Sequence, residues 1–201
     1  MNDTKLNPEK ILQNIKSLLS LGAKDRKHGF HTPVFSNIID KLNLNSRIVV
    51  LRNFDEKNNI FSFHTDYRSK KILEINQNSK TYFVFYDSKE KIQLRIETIS
   101  SIHHKDKISQ IAWKNTKLSS RKCYLSLNAP SSKTNSAEDS LPVHLVGIDP
   151  NKEESEKGYE NFAVVRNKIK IIDWLNLSAS GHRRLRIHIN QSKIKYSWLI
   201  P

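Results

Sequence analysis

The segment His64-Thr65-Asp66-Tyr67-Arg68-Ser69-Lys70-Lys71 concentrates groups that hold anions, with hydroxyls at Thr65 and Ser69 and cations at Arg68, Lys70 and Lys71. It falls where an apolar strand pattern gives way to helical spacing. A helix start leaves backbone N–H groups without intrahelical partners and carries the positive end of the macrodipole, so anionic groups are favoured there. Taken alone, the segment reads first as an ordinary capped helix followed by solvated lysines. Only five glycines occur in the chain, which excludes a glycine-rich phosphate loop. A phosphate would have to be held by side chains and a helix end.

The elements that must position this segment are mostly strands. Leu6, Ile11, Leu12, Ile15, Leu18 and Leu19 share one helical face over Leu6–Leu21, with Asn7-Pro8-Glu9 as a start signal and Gly22 as a stop. Residues 23–33 read as a polar connection. From Ser46 the period shortens to that of strands, over Arg47–Arg52 and Ile60–Thr65, separated by a turn at residues 55–59. A helix over Ser69–Asn78 should bury Ile72, Leu73 and Ile75. Thr81–Tyr86 and Ile92–Ser100 follow as strands, and Ile108–Trp113 as a helix. Residues 129–140 are rich in Pro, Ser, Thr and Asn and are expected to form a mobile loop. Phe162–Val165, Ile169–Trp174, Leu185–Ile189 and Ile194–Leu199 read as four further strands. About eight short strands with a few helices point to a mainly β chain with helical additions, a barrel or sandwich and not a parallel Rossmann sheet.

The 201 residues suffice for one domain with a full core, and the formal charge of +14 permits nucleic-acid binding. The 34 Lys and Arg residues are scattered, however, and no aromatic-plus-basic RNA motif accompanies them, so a solvated basic surface is the preferred reading. A lone Cys123 and the lack of a signal peptide or long apolar run suggest a cytoplasmic setting without membrane contact. His28/His31 and His103/His104 lack Cys or carboxylate partners at ligand spacing, so no metal is expected and the histidines read as solvated. Cys123 reads as a buried or incidental thiol, and Ser119 and Ser120 lack a nucleophile elbow.

The order of three motifs narrows the possibilities. Arg47-Ile48-Val49-Val50-Leu51-Arg52 precedes the clamp by one hairpin, and Gln93-Leu94-Arg95-Ile96 follows it by another. Trp174, then Arg183-Arg184-Leu185-Arg186, then a closing Trp198-Leu199-Ile200-Pro201 complete the pattern. Together they resemble the pyridoxamine 5'-phosphate oxidase family of FMN-binding split β-barrels, over roughly Ser46–Pro201. The resemblance implies a single split-barrel domain over residues 1–201 and FMN as cofactor. It further implies a homodimer with FMN at the interface.

Carried over by position, Arg47 would meet the FMN phosphate or ribityl chain, and the backbone of Ile48, Val49, Val50 and Leu51 would line the ring. Within the clamp, His64 counts among the cofactor-binding residues, Thr65 would lie near the ring edge, and Ser69, Lys70 and Lys71 would hold the phosphate. Lys70 stands where the family usually has arginine, losing bidentate geometry but keeping charge. Gln93 would bond the ring or ribityl hydroxyls, as would Ser119 or Ser120. Trp174 would lie over the cofactor from a partner subunit. Arg186 is the C-terminal cofactor arginine by one register, and Arg184 by another.

The substrate side departs from the family. Arg52 stands for a lysine, and His182, Arg183 and Arg184 stand where an Arg-x-His pair is expected, so Arg52, His182 and Arg184 are the substrate-binding candidates. The implied activity is an FMN-dependent oxidoreductase acting on a small molecule other than pyridoxamine phosphate. The alternative is a non-catalytic flavin- or anion-binding protein of the same fold.

Overall fold

The computed structural model describes residues 6–40, 43–190 and 193–201. Helix α1 (Pro8–Lys24) opens on Asn7, whose side chain accepts from the Lys10 N–H at 3.0 Å. Its buried face is Ile11, Leu12, Ile15, Leu18 and Leu19, as the spacing predicts. Gly22 does not end the helix. It lies buried within it, against Phe30, where a Cβ would come within 2.8 Å of the Phe30 Cβ. The glycine there serves close packing, and the stop comes at Asp25.

Nine strands make one sheet: β1 (Val34–Ile38), β2 (Leu44–Ile48), β3 (Asn53–Asp55), β4 (Ile60–Asp66), β5 (Lys80–Asp87), β6 (Ile92–His103), β7 (Phe162–Asn176), β8 (Arg183–Ile189) and β9 (Ile194–Leu199). The order is β2-β1-β5-β6-β7-β4-β3, with β8 pairing β7 and β9. Helices α2 (Lys70–Gln77), α3 (Lys107–Lys114), α4 (Leu118–Arg121) and α5 (Lys152–Glu156) complete the regular elements apart from short single-turn helices. The architecture is therefore mixed α+β on a largely antiparallel sheet, as expected.

Several boundaries differ from the sequence reading. The strand expected over Arg47–Arg52 is shifted to Leu44–Ile48, and residues 49–52 form an extended link. That link is tied by Val49 N–H to Pro33 O, Leu51 N–H to His31 O and Arg52 N–H to Ser62 O. An apolar run cannot reveal which of its residues bond a neighbour and which merely cross between strands. Strand β1 was not anticipated, because Pro33 and Asp40 flank only six residues, two of them the polar Ser36 and Asn37. The two strands expected over 162–174 are one 15-residue strand, since the polar break at Arg166-Asn167-Lys168 stays in the ladder. Leu73 is 65% exposed, while Ile72 and Ile75 are buried. Residues 129–140 contain no helix or strand.

Contacts divide the chain into two units. The first holds the residues up to Phe63, Asn78–Ser100 and Arg166–Pro201. Its core is an aromatic cluster in which Phe35, Phe61, Phe63, Phe83 and Phe85 pack at centroid separations of 4.7–6.3 Å. The second holds His64–Gln77 and Ser101–Val165. Its core is Trp113, Tyr124, Phe162 and Val164. Arg121 lies buried beside it over the Trp113 ring, donating to Glu156 Oε1 at 2.6 Å and to the Trp113 carbonyl at 2.8 Å.

Candidate functional site

In the second unit, β4 delivers His64 and Thr65 and α2 begins at Lys70, directly after Ser69. Thr65 and Ser69 are buried, their hydroxyl oxygens 3.4 Å apart, and Lys71 Nζ donates to Thr65 Oγ1 at 3.0 Å. A cation and two hydroxyls thus converge at the opening turn of a helix, an arrangement that favours a phosphate or carboxylate. Lys70 is exposed, and His64 packs edge-on to Phe162 at 4.8 Å.

The acidic residue inside this segment is accounted for. Asp66 is buried, and its carboxylate receives Arg68 Nε at 3.1 Å, Arg68 NH2 at 2.7 Å and the Arg68 N–H at 2.8 Å. That hydrogen bond and charge raise the Arg68 pKa above its ordinary value. Arg68 NH2 also reaches the Ser126 carbonyl at 3.0 Å, so Arg68 neutralises Asp66 and ties down the chain near residue 126. It is not a third cation for the anion. Residues 128–134 and 138–141 line, with Asp66, Cys123 and Ser126, a polar cleft of about 360 Å³. Ser119 and Cys123 are exposed, so of the two readings of the thiol, buried or incidental, burial does not hold.

The histidines of this unit are more ordered than their sequence setting suggested. His104 Nδ1 donates to the Phe162 carbonyl at 2.9 Å, and the ring stacks on Tyr67 at 3.8 Å with planes 4° apart. A carbonyl can only accept, so Nδ1 carries the proton and Nε2 the lone pair in the neutral ring. His103 Nδ1 pairs with Asp106 Oδ2 at 2.7 Å, and Asp106 also caps α3 through Ser109. Burial would raise the Asp106 carboxyl, but the Ser109 N–H and His103 outweigh it and hold it below its ordinary value. In the first unit, His31 Nδ1 bonds the Gly22 carbonyl at 2.7 Å, and His28 Nδ1 accepts from the Phe30 N–H at 3.0 Å. These are packed groups. Among the described residues no cluster of three or more His, Cys, Asp or Glu could hold a metal ion.

The first unit places the remaining candidates on two faces of the sheet. Register pairs Phe35 with Arg47 and Trp174 with Leu185, so Arg47 and Trp174 lie on the face that carries the phenylalanine and leucine core. Gln93, Arg184 and Arg186 lie on the opposite face, with Arg95, Glu97 and Asp173. On that second face Arg184 grips Asp173 through Nε at 3.0 Å and NH2 at 2.8 Å, and Arg95 adds a bond at 3.0 Å. Burial would raise the Asp173 carboxyl, but the hydrogen bonds of Arg184 and Arg95 outweigh it and lower its pKa. Arg186 makes only a long contact to Glu97, at 3.5 Å.

Two buried side-chain polar atoms among the described residues lack a hydrogen-bond partner, and they are Trp174 Nε1 and Arg186 Nε. A buried N–H without an acceptor costs about 1–3 kcal/mol. Both fall on residues that the resemblance assigns to FMN, which makes their donor chemistry a fit to a group rich in oxygen and ring-nitrogen acceptors.

The others are placed less tellingly. Ile48 is 68% exposed, Val49 and Leu51 are buried, Val50 and Gln93 are half-buried, and Arg52 is exposed. His182 is exposed with Nδ1 accepting from the Ser178 N–H at 3.1 Å. Asn37, which the sequence reading passed over, holds Arg47 through its side-chain oxygen. Only its place two residues after Phe35, on the strand face that is otherwise apolar, could have flagged it.

Residues 13–104 match the family model described as pyridoxamine 5'-phosphate oxidase, FMN-binding domain. A search among curated proteins finds no match. Among solved structures, a pyridoxamine 5'-phosphate oxidase-related, FMN binding protein from Nostoc punctiforme superposes with TM-score 0.75 at 18% identity, covering 98% of this chain and all of that one. PhzG from Burkholderia lata, solved with tetrahydrophenazine-1-carboxylic acid, superposes with TM-score 0.70 at 14% identity, covering 99% of this chain and 95% of that one. A protein related to general stress protein 26 from Clostridium acetobutylicum gives 0.53 at 11%, over 96% and 97%. At such identities the likeness establishes a common fold. Residues 13–104 thus resemble the FMN-binding domain of pyridoxamine 5'-phosphate oxidase, and over nearly its whole length the chain shares the fold of a solved protein described as related to that enzyme.

Proposed function

We propose that the protein binds FMN and is an oxidoreductase, in which the flavin takes a hydride from a small-molecule substrate. The observation that carries the cofactor assignment is the pair of orphaned buried donors, Trp174 Nε1 and Arg186 Nε, on residues that the family resemblance assigns to FMN. FMN when bound supplies reversible two-electron chemistry, and the protein supplies binding, orientation and electrostatics. In the second unit Ser69, Lys71 and Thr65 hold a phosphate, helped by the helix start and by the neutralisation of Asp66 by Arg68. In the first unit Arg47 is a cation for an anionic group, and Trp174 and Arg186 donate to ring or chain acceptors.

The two faces of the first unit support a homodimer. Arg47 and Trp174 on one face and Gln93 and Arg186 on the other cannot close on a single ligand within one chain, whereas two copies can each offer a different face. The face carrying Gln93 also exposes Ile48, Tyr86, Ile99, Val34 and Val84, an apolar area suited to a second copy. Among the described residues no helix is long and apolar enough to cross a membrane. A reducing, cytoplasmic setting fits the single exposed thiol, Cys123.

The substrate assignment points away from pyridoxamine phosphate, because Arg184 is engaged by Asp173 and His182 by Ser178. Anaerobic addition of candidate amines, alcohols and reduced nicotinamides to the FMN-loaded protein tests the oxidoreductase reading. Loss of the oxidised flavin band with at least one of them is expected. A flavin that stays oxidised with all of them overturns catalysis and leaves a flavin-binding protein. A monomer by sedimentation at micromolar concentration would remove the dimer.

A further inference from the structure

The first unit contains a polar row inside its aromatic core. Asn37 is fully buried on β1, and Thr81 lies opposite it on β5. Thr81 Oγ1 lies 2.6 Å from both Thr98 Oγ1 and Ser100 Oγ. Ser100 donates to Asn167 Oδ1 at 2.7 Å, and Asn167 Nδ2 donates to the Phe61 carbonyl at 3.1 Å. Valine or threonine would fill Asn37's place beside Phe35 without the desolvation that an amide incurs, so the amide calls for a purpose beyond packing.

Its geometry supplies one. Arg47 lies directly across from Phe35, with its guanidinium 5.2 Å from the centre of that ring, and its NH1 donates to Asn37 Oδ1. A ring face below and an amide oxygen at one nitrogen restrict the guanidinium in two independent ways. Elsewhere in this unit Arg95 and Arg184 are held by Asp173, and Arg186 contacts Glu97. Those partners fix an arginine and cancel its charge together. Asn37 contributes orientation and no charge of its own.

We propose that Asn37 is a positioning residue, whose neutral amide oxygen holds Arg47 on the Phe35 ring in the orientation that receives an anionic group of the ligand. The proposal rests on the reading of Arg47 as a contact for FMN. It explains why an amide, and not a carboxylate, occupies a fully buried position beneath an arginine. A carboxylate there would hold the guanidinium at least as firmly and would oppose the incoming anion.

The test is a titration of the apo full-length chain with FMN, followed by flavin fluorescence, for wild type and for Arg47→Ala, Asn37→Ala, Asn37→Asp and Asn37→Ala/Arg47→Ala. Arg47→Ala should weaken binding about 10- to 100-fold, the worth of a charge-assisted contact. Asn37→Ala should weaken it about 10-fold. The double variant should be no weaker than Arg47→Ala, and Asn37→Asp should be weaker than Asn37→Ala although it keeps an acceptor. In the apo protein, the Arg47 Nε–Hε NMR resonance should broaden or shift to the solvent-averaged position in Asn37→Ala and stay resolved in Asn37→Asp. If Asn37→Ala does not fold, Asn37→Thr takes its place with the same expectations. Wild-type affinity in both Asn37 variants beside a weakened Arg47→Ala would overturn the positioning role and leave FMN binding intact. Wild-type affinity in Arg47→Ala would remove the premise about Arg47 itself.

Discussion

Replacing Lys71 by alanine separates a ligand-binding lysine from a structural one. Lys71 is half-buried, and its Nζ donates to Thr65 Oγ1 at 3.0 Å. For folding, that bond to a neutral hydroxyl is worth about 0.5–1.5 kcal/mol, and the Thr65 oxygen keeps the Ser69 hydroxyl at 3.4 Å as a neighbour. Alanine also favours the helix that starts at Lys70, so the net change in stability should lie within about 1 kcal/mol. For a bound phosphate the same ammonium gives a charge-assisted hydrogen bond worth about 1.5–3 kcal/mol, or roughly 10- to 150-fold in Kd. The assay is paired: urea unfolding of the apo protein, and FMN titration by fluorescence at low and at physiological salt. Affinity should fall by that factor, and less steeply with salt than in wild type, while the unfolding midpoint hardly moves. Unchanged affinity, or a loss of stability large enough to account for the loss of binding, would refute the reasoning.

Three other outcomes follow from the packing and the charges. Gly22→Ala should destabilise the apo protein by about 1–3 kcal/mol in urea unfolding, because the new Cβ meets the Phe30 Cβ at 2.8 Å and its backbone carbon at 3.0 Å, neither of which can swing away. Arg121→Ala should cost about 1–3 kcal/mol, since it leaves the Ser155 hydroxyl and the Trp113 and Thr116 carbonyls without their donor, while Glu156, half exposed, stays solvated. Asp173 has a folded-state pKa below the ordinary carboxylate value, so its stabilisation is complete above the unfolded pKa, near 3.8, and is lost as pH falls through the folded value. Unfolding midpoints should therefore drop on acidification below about pH 4. The slope should be shallower in Asp173→Asn, which is also less stable than wild type at neutral pH.

How much of this was visible in the sequence depended on what each signal reports. Periodicity found the buried face of α1, the hairpin strands β5 and β6, and α2 at its true position, because those elements expose one face and bury the other. It misplaced the strand at Arg47–Arg52, where apolar character continues past the last paired residue. It split β7 at Arg166-Asn167-Lys168, whose Asn167 is fully buried and satisfied by Ser100 and Phe61. The clamp was legible as a chemical cluster, and Thr65, Ser69 and Lys71 do converge. The neutralisation of Asp66 by Arg68, the stacking of His104 on Tyr67 and the grip of Asn37 on Arg47 were not legible. Each depends on one rotamer or on partners brought together only by the fold, for which a residue string carries no period.

The central claim is that this chain binds FMN through a phosphate clamp at Thr65, Ser69 and Lys71. The most direct measurement is an FMN titration of the purified full-length protein by absorbance and fluorescence, with riboflavin as the matched ligand that lacks the phosphate. Saturable binding of one FMN per chain, with riboflavin bound much more weakly, is the predicted result. A protein that takes up no FMN, or that binds riboflavin equally well, would contradict it.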